Sequence, residues 1–130
     1  KDVKAAGGRV LPLPVSGAFH SPFMKQAAEG LLEILGQTEF SAPGIPVYSN
    51  YTAAPYGENP RETLFRQVQS PVRWQETIEN MIRDGADTFI EVGPGKTLSG
   101  FIKKIADVRV YNVEDVESLK KTLAEVTGNA

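Results

Sequence analysis

The sequence predicts an α/β fold, and three observations predict it. Two short apolar segments, Thr88–Val92 and Val108–Val113, are set between stretches whose apolar residues recur at helical spacing. The stretch joining those two segments is long enough for a crossover helix, which implies parallel pairing of strands. Hydrophobic residues make up 41% of the 130, enough to build a packed core.

The elements follow in order. Gly7-Gly8 precede a short strand over Arg9–Val15, where Val10, Leu11 and Leu13 are apolar. Pro12 and Pro14 cannot donate to a ladder, so this strand is expected at an edge or as a crossing between subdomains. A loop, Ser16–Ser21, comes next. Pro22 opens a helix through about Leu35, with Ser21 as its N-cap. Met24, Ala27, Ala28, Leu31, Leu32 and Leu35 give that helix one buried stripe, and Gly36 stops it. Pro43-Gly44 is a turn into a short buried strand, Ile45–Ser49. Tyr51–Asn59 is polar and rich in turn residues, so it reads as a surface loop.

Pro60 opens a second helix through about Gln69, and Pro71 forbids its simple continuation. A third helix is expected from Trp74 to Arg83, with Ile78, Met81 and Ile82 inward and Gly85 at its C′ position. Then come the strand Thr88–Val92, the tight turn Gly93-Pro94-Gly95, a helix over Thr97–Ile105 and the strand Val108–Val113. The last helix is expected over Glu114–Val126, with Glu114 and Asp115 in its first turn, where they favour the dipole. No internal repeat or low-complexity tract interrupts this order.

Composition excludes several functions. The net charge of −2 argues against nucleic acid as a partner, since phosphate binding needs a basic excess. With no cysteine there is no disulfide, thiolate metal site or cysteine nucleophile, which fits a cytoplasmic protein. One histidine cannot build a multi-histidine metal site, so no metal is expected. No apolar run approaches the roughly 20 residues of a membrane span. The start, Lys1-Asp2-Val3-Lys4, is not read as a signal peptide, since no apolar h-region follows it, and without an initiator Met the chain is expected to begin inside a longer protein.

The one histidine, His20, follows a strand and precedes a helix, where α/β enzymes carry functional groups. Imidazole is the usual proton carrier in catalysis. A surface or capping histidine is the plain alternative. The surrounding segment, Pro14-Val15-Ser16-Gly17-Ala18-Phe19-His20-Ser21-Pro22-Phe23-Met24, resembles the histidine segment of malonyl-CoA:acyl carrier protein transacylases. Arg66-Gln67 followed by Ser70-Pro71-Val72-Arg73-Trp74 is similar to a second segment of that family. Glu91-Val92-Gly93-Pro94-Gly95-Lys96-Thr97-Leu98-Ser99-Gly100 resembles its late strand-turn-helix segment. The segments stand in the family's order and at about its spacing, and the resemblance covers nearly the whole chain.

The resemblance implies the C-terminal part of an α/β-hydrolase-like acyltransferase domain, residues 15–130, preceded by the end of a ferredoxin-like small subdomain, residues 1–14. In the family a serine on a sharp turn attacks the thioester of malonyl-CoA, and a histidine takes its proton. The histidine then activates the phosphopantetheine thiol of acyl carrier protein, in fatty acid biosynthesis. The resemblance puts His20 in that role, and Gln67 in the role of the residue whose backbone carbonyl orients the ring. It makes Phe19 a pocket residue that disfavours an α-methyl on the acyl group, although Phe19 also reads as core. No cofactor is implied beyond the two substrates.

Part of the site is missing. Ser16, Ser21, Ser41, Ser49, Ser70, Ser99 and Ser118 all lack a Gly-x-Ser-x-Gly elbow. The family's carboxylate-binding arginine and oxyanion donors lie in its earlier half and cannot be assigned here. The implied partners are therefore the N-terminal half of the same enzyme, acyl carrier protein and malonyl-CoA, and the chain alone is expected to be inactive. Lys96, Lys103 and Lys104 are candidate contacts for an acidic carrier, against the alternative of a solvated helix face. Gly93-Pro94-Gly95 reads better as a tight connection than as a phosphate cradle, since it has no P-loop spacing. Asn50 resembles a family asparagine near the site, without a role assigned. The rival functions are a non-catalytic carrier-binding module and a thioester hydrolase with the same half-site.

Overall fold

A computed structural model describes residues 2–11 and 15–128 of the chain. The short helix α1 (Asp2–Ala5) is followed by an irregular stretch. A 3-10 turn, Pro22–Met24, leads into α2 (Lys25–Gly36), and a long loop then reaches α3 (Arg61–Gln69). After α4 (Trp74–Arg83) come β1 (Thr88–Val92), α5 (Thr97–Ile105), β2 (Arg109–Val113) and α6 (Val116–Thr127). The strands β1 and β2 are parallel, in register from Thr88 against Arg109 to Val92 against Val113, with α5 as the crossover. The chain is thus α/β as expected, with a small parallel sheet among the described residues.

These elements form two packed units. In the first, α2 and α3 lie side by side with the 3-10 turn against both. In the second, α5 packs on both strands and on α4, while α6 packs on β2. Among the described residues no helix or strand of one unit lies against an element of the other. The connection between them runs through the loop before α3. Its buried centre is Ala53, fully enclosed at a φ of 56°, with the half-buried Tyr51, Thr52 and Tyr56 around it. The expected surface loop is therefore a structural bridge.

The helix ends follow local chemistry. Ser21 caps the 3-10 turn, accepting from the Phe23 N–H and donating to the Ala18 carbonyl at 2.6 Å. Arg61 ties α3 to the end of α2: its Nε donates to the Leu35 carbonyl at 2.8 Å and Nη2 to the Thr38 carbonyl at 2.6 Å. It also lies 5.2 Å from the Phe40 ring centroid, so three groups at the end of α2 hold one guanidinium. Gly85, just past α4, has a φ of 104°, as a C′ glycine should.

Other expectations change as well. The strand over Arg9–Val15 does not form at 9–11 or at Val15, and residues 12–14 lie outside the described residues. The Ile45–Ser49 strand is absent; only Tyr48 makes an isolated bridge, to Pro55. A strand needs a partner's hydrogen bonds, Pro46 has no N–H to give, and Ile45 is 75% exposed. The last helix starts at Val116, so Glu114 and Asp115 precede it. Asp115 is its N-cap, in a reciprocal box with Ser118. The stripe on α2 is buried at Ala28 and Leu35 but not throughout: Leu32 is 38% exposed.

Candidate active site

His20 closes the loop that leads into the 3-10 turn. Its φ is 56°, in the left-handed region where histidine is one of the few tolerated side chains. The Ser21 hydroxyl braces the loop on one side of it, through the Ala18 carbonyl. Gly17 makes room on the other: a Cβ there would lie 3.2 Å from the Phe19 ring. Phe19 itself is 62% exposed, so within this chain it is not core.

The His20 ring meets α3. Nδ1 lies 3.0 Å from the Gln67 carbonyl oxygen. A carbonyl only accepts, so Nδ1 carries the hydrogen, and in the neutral ring Nε2 holds the free lone pair. Gln67 can offer that oxygen because it sits in the last turn of α3, and its helical partner four residues on would be Pro71, which has no N–H. The pairing of His20 with Gln67 puts together the two residues that the resemblance implies as base and orienter.

One residue near this pair was not anticipated. Tyr56 donates its hydroxyl hydrogen to the Gln67 side-chain oxygen at 2.5 Å. Nothing in the sequence marks Tyr56, because the contact joins a loop and a helix through tertiary packing alone. The Gln67–Pro71 spacing, by contrast, is a readable sign of a free carbonyl.

Four backbone donors in and just after the turn that follows β1 are taken by the chain's own groups. Glu91 accepts from the backbone N–H of Leu98 at 3.1 Å and of Ser99 at 2.8 Å, so its carboxylate seats the start of α5. The Ser99 hydroxyl and these two amides hold the Glu91 carboxyl below its usual range. Gly93 donates its N–H to the Val113 carbonyl at 2.9 Å, and Gly95 to the Glu114 carboxylate at 2.9 Å. A phosphate would find these donors taken and two carboxylates beside them.

Lys96 stands just before α5, 4.0 Å from Glu114. Lys96 and Lys103 line one cavity of about 470 Å³ together with Lys121, but Glu114, Asp115 and Glu117 line it too. Lys104 is exposed and does not line it. Among the described residues no group of three or more metal-ligating side chains forms, and no helix is long and apolar enough to cross a membrane.

No family model matches the chain. Over 128 residues it is 43% identical to a malonyl CoA-acyl carrier protein transacylase of Bacillus subtilis, matching 94% of this chain and 40% of that protein. The Escherichia coli protein of the same name is 43% identical over 107 residues, 80% of this chain and 35% of the relative. The crystal structure of the malonyl CoA-acyl carrier protein transacylase of Clostridium perfringens superposes with a TM-score of 0.91 at 45% identity, over 98% of this chain and 41% of the other. A structure described as a type II PKS acyl-carrier protein in complex with its malonyl-transacylase aligns with a TM-score of 0.87 at 38% identity, over 94% of this chain and 41% of the other. The chain thus spans about two fifths of the length of the relatives it matches. By sequence and by fold together, it is similar to about two fifths of the length of the malonyl CoA-acyl carrier protein transacylases it matches.

Proposed function

We propose that this chain is the C-terminal part of an enzyme that moves a malonyl group from malonyl-CoA to the phosphopantetheine thiol of acyl carrier protein, in the cytoplasm. The observation that carries the proposal is the bond from His20 Nδ1 to the Gln67 carbonyl, which leaves Nε2 free to act as a base. In the first half-reaction the serine oxygen of the remaining part attacks the malonyl carbonyl carbon. His20 takes the serine proton as the new C–O bond forms. The C–S bond then breaks and the proton passes to the departing CoA thiolate. In the second half-reaction His20 takes the proton of the carrier thiol, whose sulfur attacks the malonyl-serine ester. The proton returns to the serine oxygen as that ester is cleaved.

Phe19 lines the acyl pocket once the rest of the protein is in place, and its ring leaves little room for an α-methyl. A methyl group is worth only about 1–3 kcal/mol in such a pocket, so the preference is finite. Residues 15–130 belong to an α/β-hydrolase-like domain and residues 1–14 to the end of a ferredoxin-like subdomain. Lys96 and Lys103 are the better carrier contacts of the three lysines, because they share one cavity wall. No cofactor takes part.

The test is intact-mass analysis of the complete protein mixed with malonyl-CoA. A malonyl adduct on a serine, passed on to carrier protein, is the expected result. His20→Ala is expected to slow transfer by about 10²- to 10⁴-fold with the fold intact. Equal turnover by parent and variant would overturn the role of His20. Absence of any serine adduct would leave the carrier-binding module as the better reading, and rapid loss of malonate to water without carrier would favour the hydrolase.

A further inference from the structure

We propose that Tyr56 is a positioning residue for His20, acting through the side chain of Gln67; this rests on the proposed role of His20 as the base. The Gln67 carbonyl that holds His20 has lost its helical partner to Pro71, so the helix ladder does little to fix it. It sits in the last turn of α3, where helices fray. The Tyr56 hydroxyl, 2.5 Å from the Gln67 side-chain oxygen, pins that same residue from the other side.

Tyr56 is itself firmly held. Its N–H donates to the Val47 carbonyl at 2.8 Å. Just before it, Ser49 donates its N–H to Ala54 at 2.9 Å and accepts from the Ala53 N–H at 2.9 Å. The Ser49 hydroxyl oxygen accepts from the Tyr51 N–H at 3.1 Å. The loop is in turn fastened to α4: Arg73 donates its N–H to the Asn50 carbonyl at 2.9 Å, and Asn80 donates its side-chain N–H to the Ala53 carbonyl at 2.8 Å. Hydrogen bonds joined by short stretches of the chain therefore lead from α4 through the loop to Tyr56, Gln67 and the His20 ring. It crosses between two units whose helices and strands do not otherwise meet among the described residues. The orientation of the base is fixed by the second unit as well as by its own.

The experiment uses the complete protein, ¹⁵N-labelled at histidine, with the His20 ring signals assigned by His20→Asn. Ring nitrogen shifts and malonyl transfer are compared for the parent, Tyr56→Phe, Gln67→Leu and the double variant. Each single change is expected to lower the population of the Nδ1–H tautomer. Each should also reduce kcat by about 2- to 10-fold, the scale of one neutral hydrogen bond, with KM for malonyl-CoA nearly unchanged. The double variant should lose no more than the worse single variant, because both changes break one linkage. Unchanged ring shifts in Tyr56→Phe, or losses that multiply in the double variant, would overturn the proposal. Should Tyr56→Phe fail to fold, Gln67→Leu breaks the same hydrogen bond and reads the same ring, and unchanged ring shifts in that variant would overturn the proposal. The ring signal needs no turnover, so it separates failure of this linkage from failure of His20 as the base.

Discussion

At the scale of the residue, His20 combines chemistry with a backbone that few side chains accept. A φ of 56° puts a Cβ close to the following carbonyl, at a cost of about 1–2 kcal/mol for most residues. A β-branched side chain suffers most there, while Asn tolerates it. His20→Val is therefore expected to lower the unfolding free energy of the complete protein by about 1–2 kcal/mol relative to His20→Asn, in urea titrations. Equal midpoints would mean that the loop relaxes out of the left-handed region at no cost. Residue type and neighbours made His20 legible from sequence, because Phe19, Ser21 and Pro22 stand beside it in the chain. The free carbonyl of Gln67 was half legible, through Pro71 four residues on. Tyr56 was not legible, because its meeting with Gln67 depends on how a loop folds back over a helix.

At the scale of the element, the ends that matched expectation have local causes. Both ends of α4, β1 and α5 were placed correctly, because Gly85, Gly93-Pro94-Gly95 and the apolar spacing are short-range signals. The strand expected over Ile45–Ser49 failed for a non-local reason, since β-branched letters need a neighbouring strand to pair with. Glu91 gives an element-scale prediction. Its carboxylate joins the end of β1 to the start of α5, and its pKa in the folded chain is lowered, first by the Ser99 hydroxyl and then by backbone amides. A lowered folded pKa means stability that is present above the unfolded value, near 4.5, and lost as pH falls through the folded value. The complete protein should thus exceed Glu91→Gln in urea midpoint at neutral pH, and the gap should close in acid below that value. Other carboxylates titrate in the same window, notably Asp87 and Asp115, so the gap between parent and variant is the quantity to follow. A gap that persists unchanged at pH 3 would assign the effect to packing around Glu91 and not to its charge.

At the scale of the whole molecule, the surface is too large for the mass. A folded monomer of 14.1 kDa is expected to expose about 6,700 Å², by the usual scaling of area with mass. This chain exposes 9822 Å². Among the described residues the large apolar side chains that are fully or nearly buried are few: Leu35, Ile78 and Ile102. Ile90 is 45% and Val92 79% exposed, on one face of β1 by the two-residue alternation of a strand, whereas parallel sheets normally cover both faces. The outer edge of β1 has no neighbour among the described residues. An excess of roughly 3,000 Å² on one side is the size class of an obligate interface. The 130-residue chain produced alone is therefore expected to bind a hydrophobic dye such as ANS, to self-associate as its concentration rises, and to unfold over a broad range of urea. Joined to the remainder of the enzyme proposed above, it should lose the dye signal and unfold in a sharper transition, as burial of apolar surface raises both stability and cooperativity. A monomeric chain that unfolds sharply and binds no dye by itself would mean that its exposed apolar residues find partners within these 130 residues, and that the two packed units close on each other in solution.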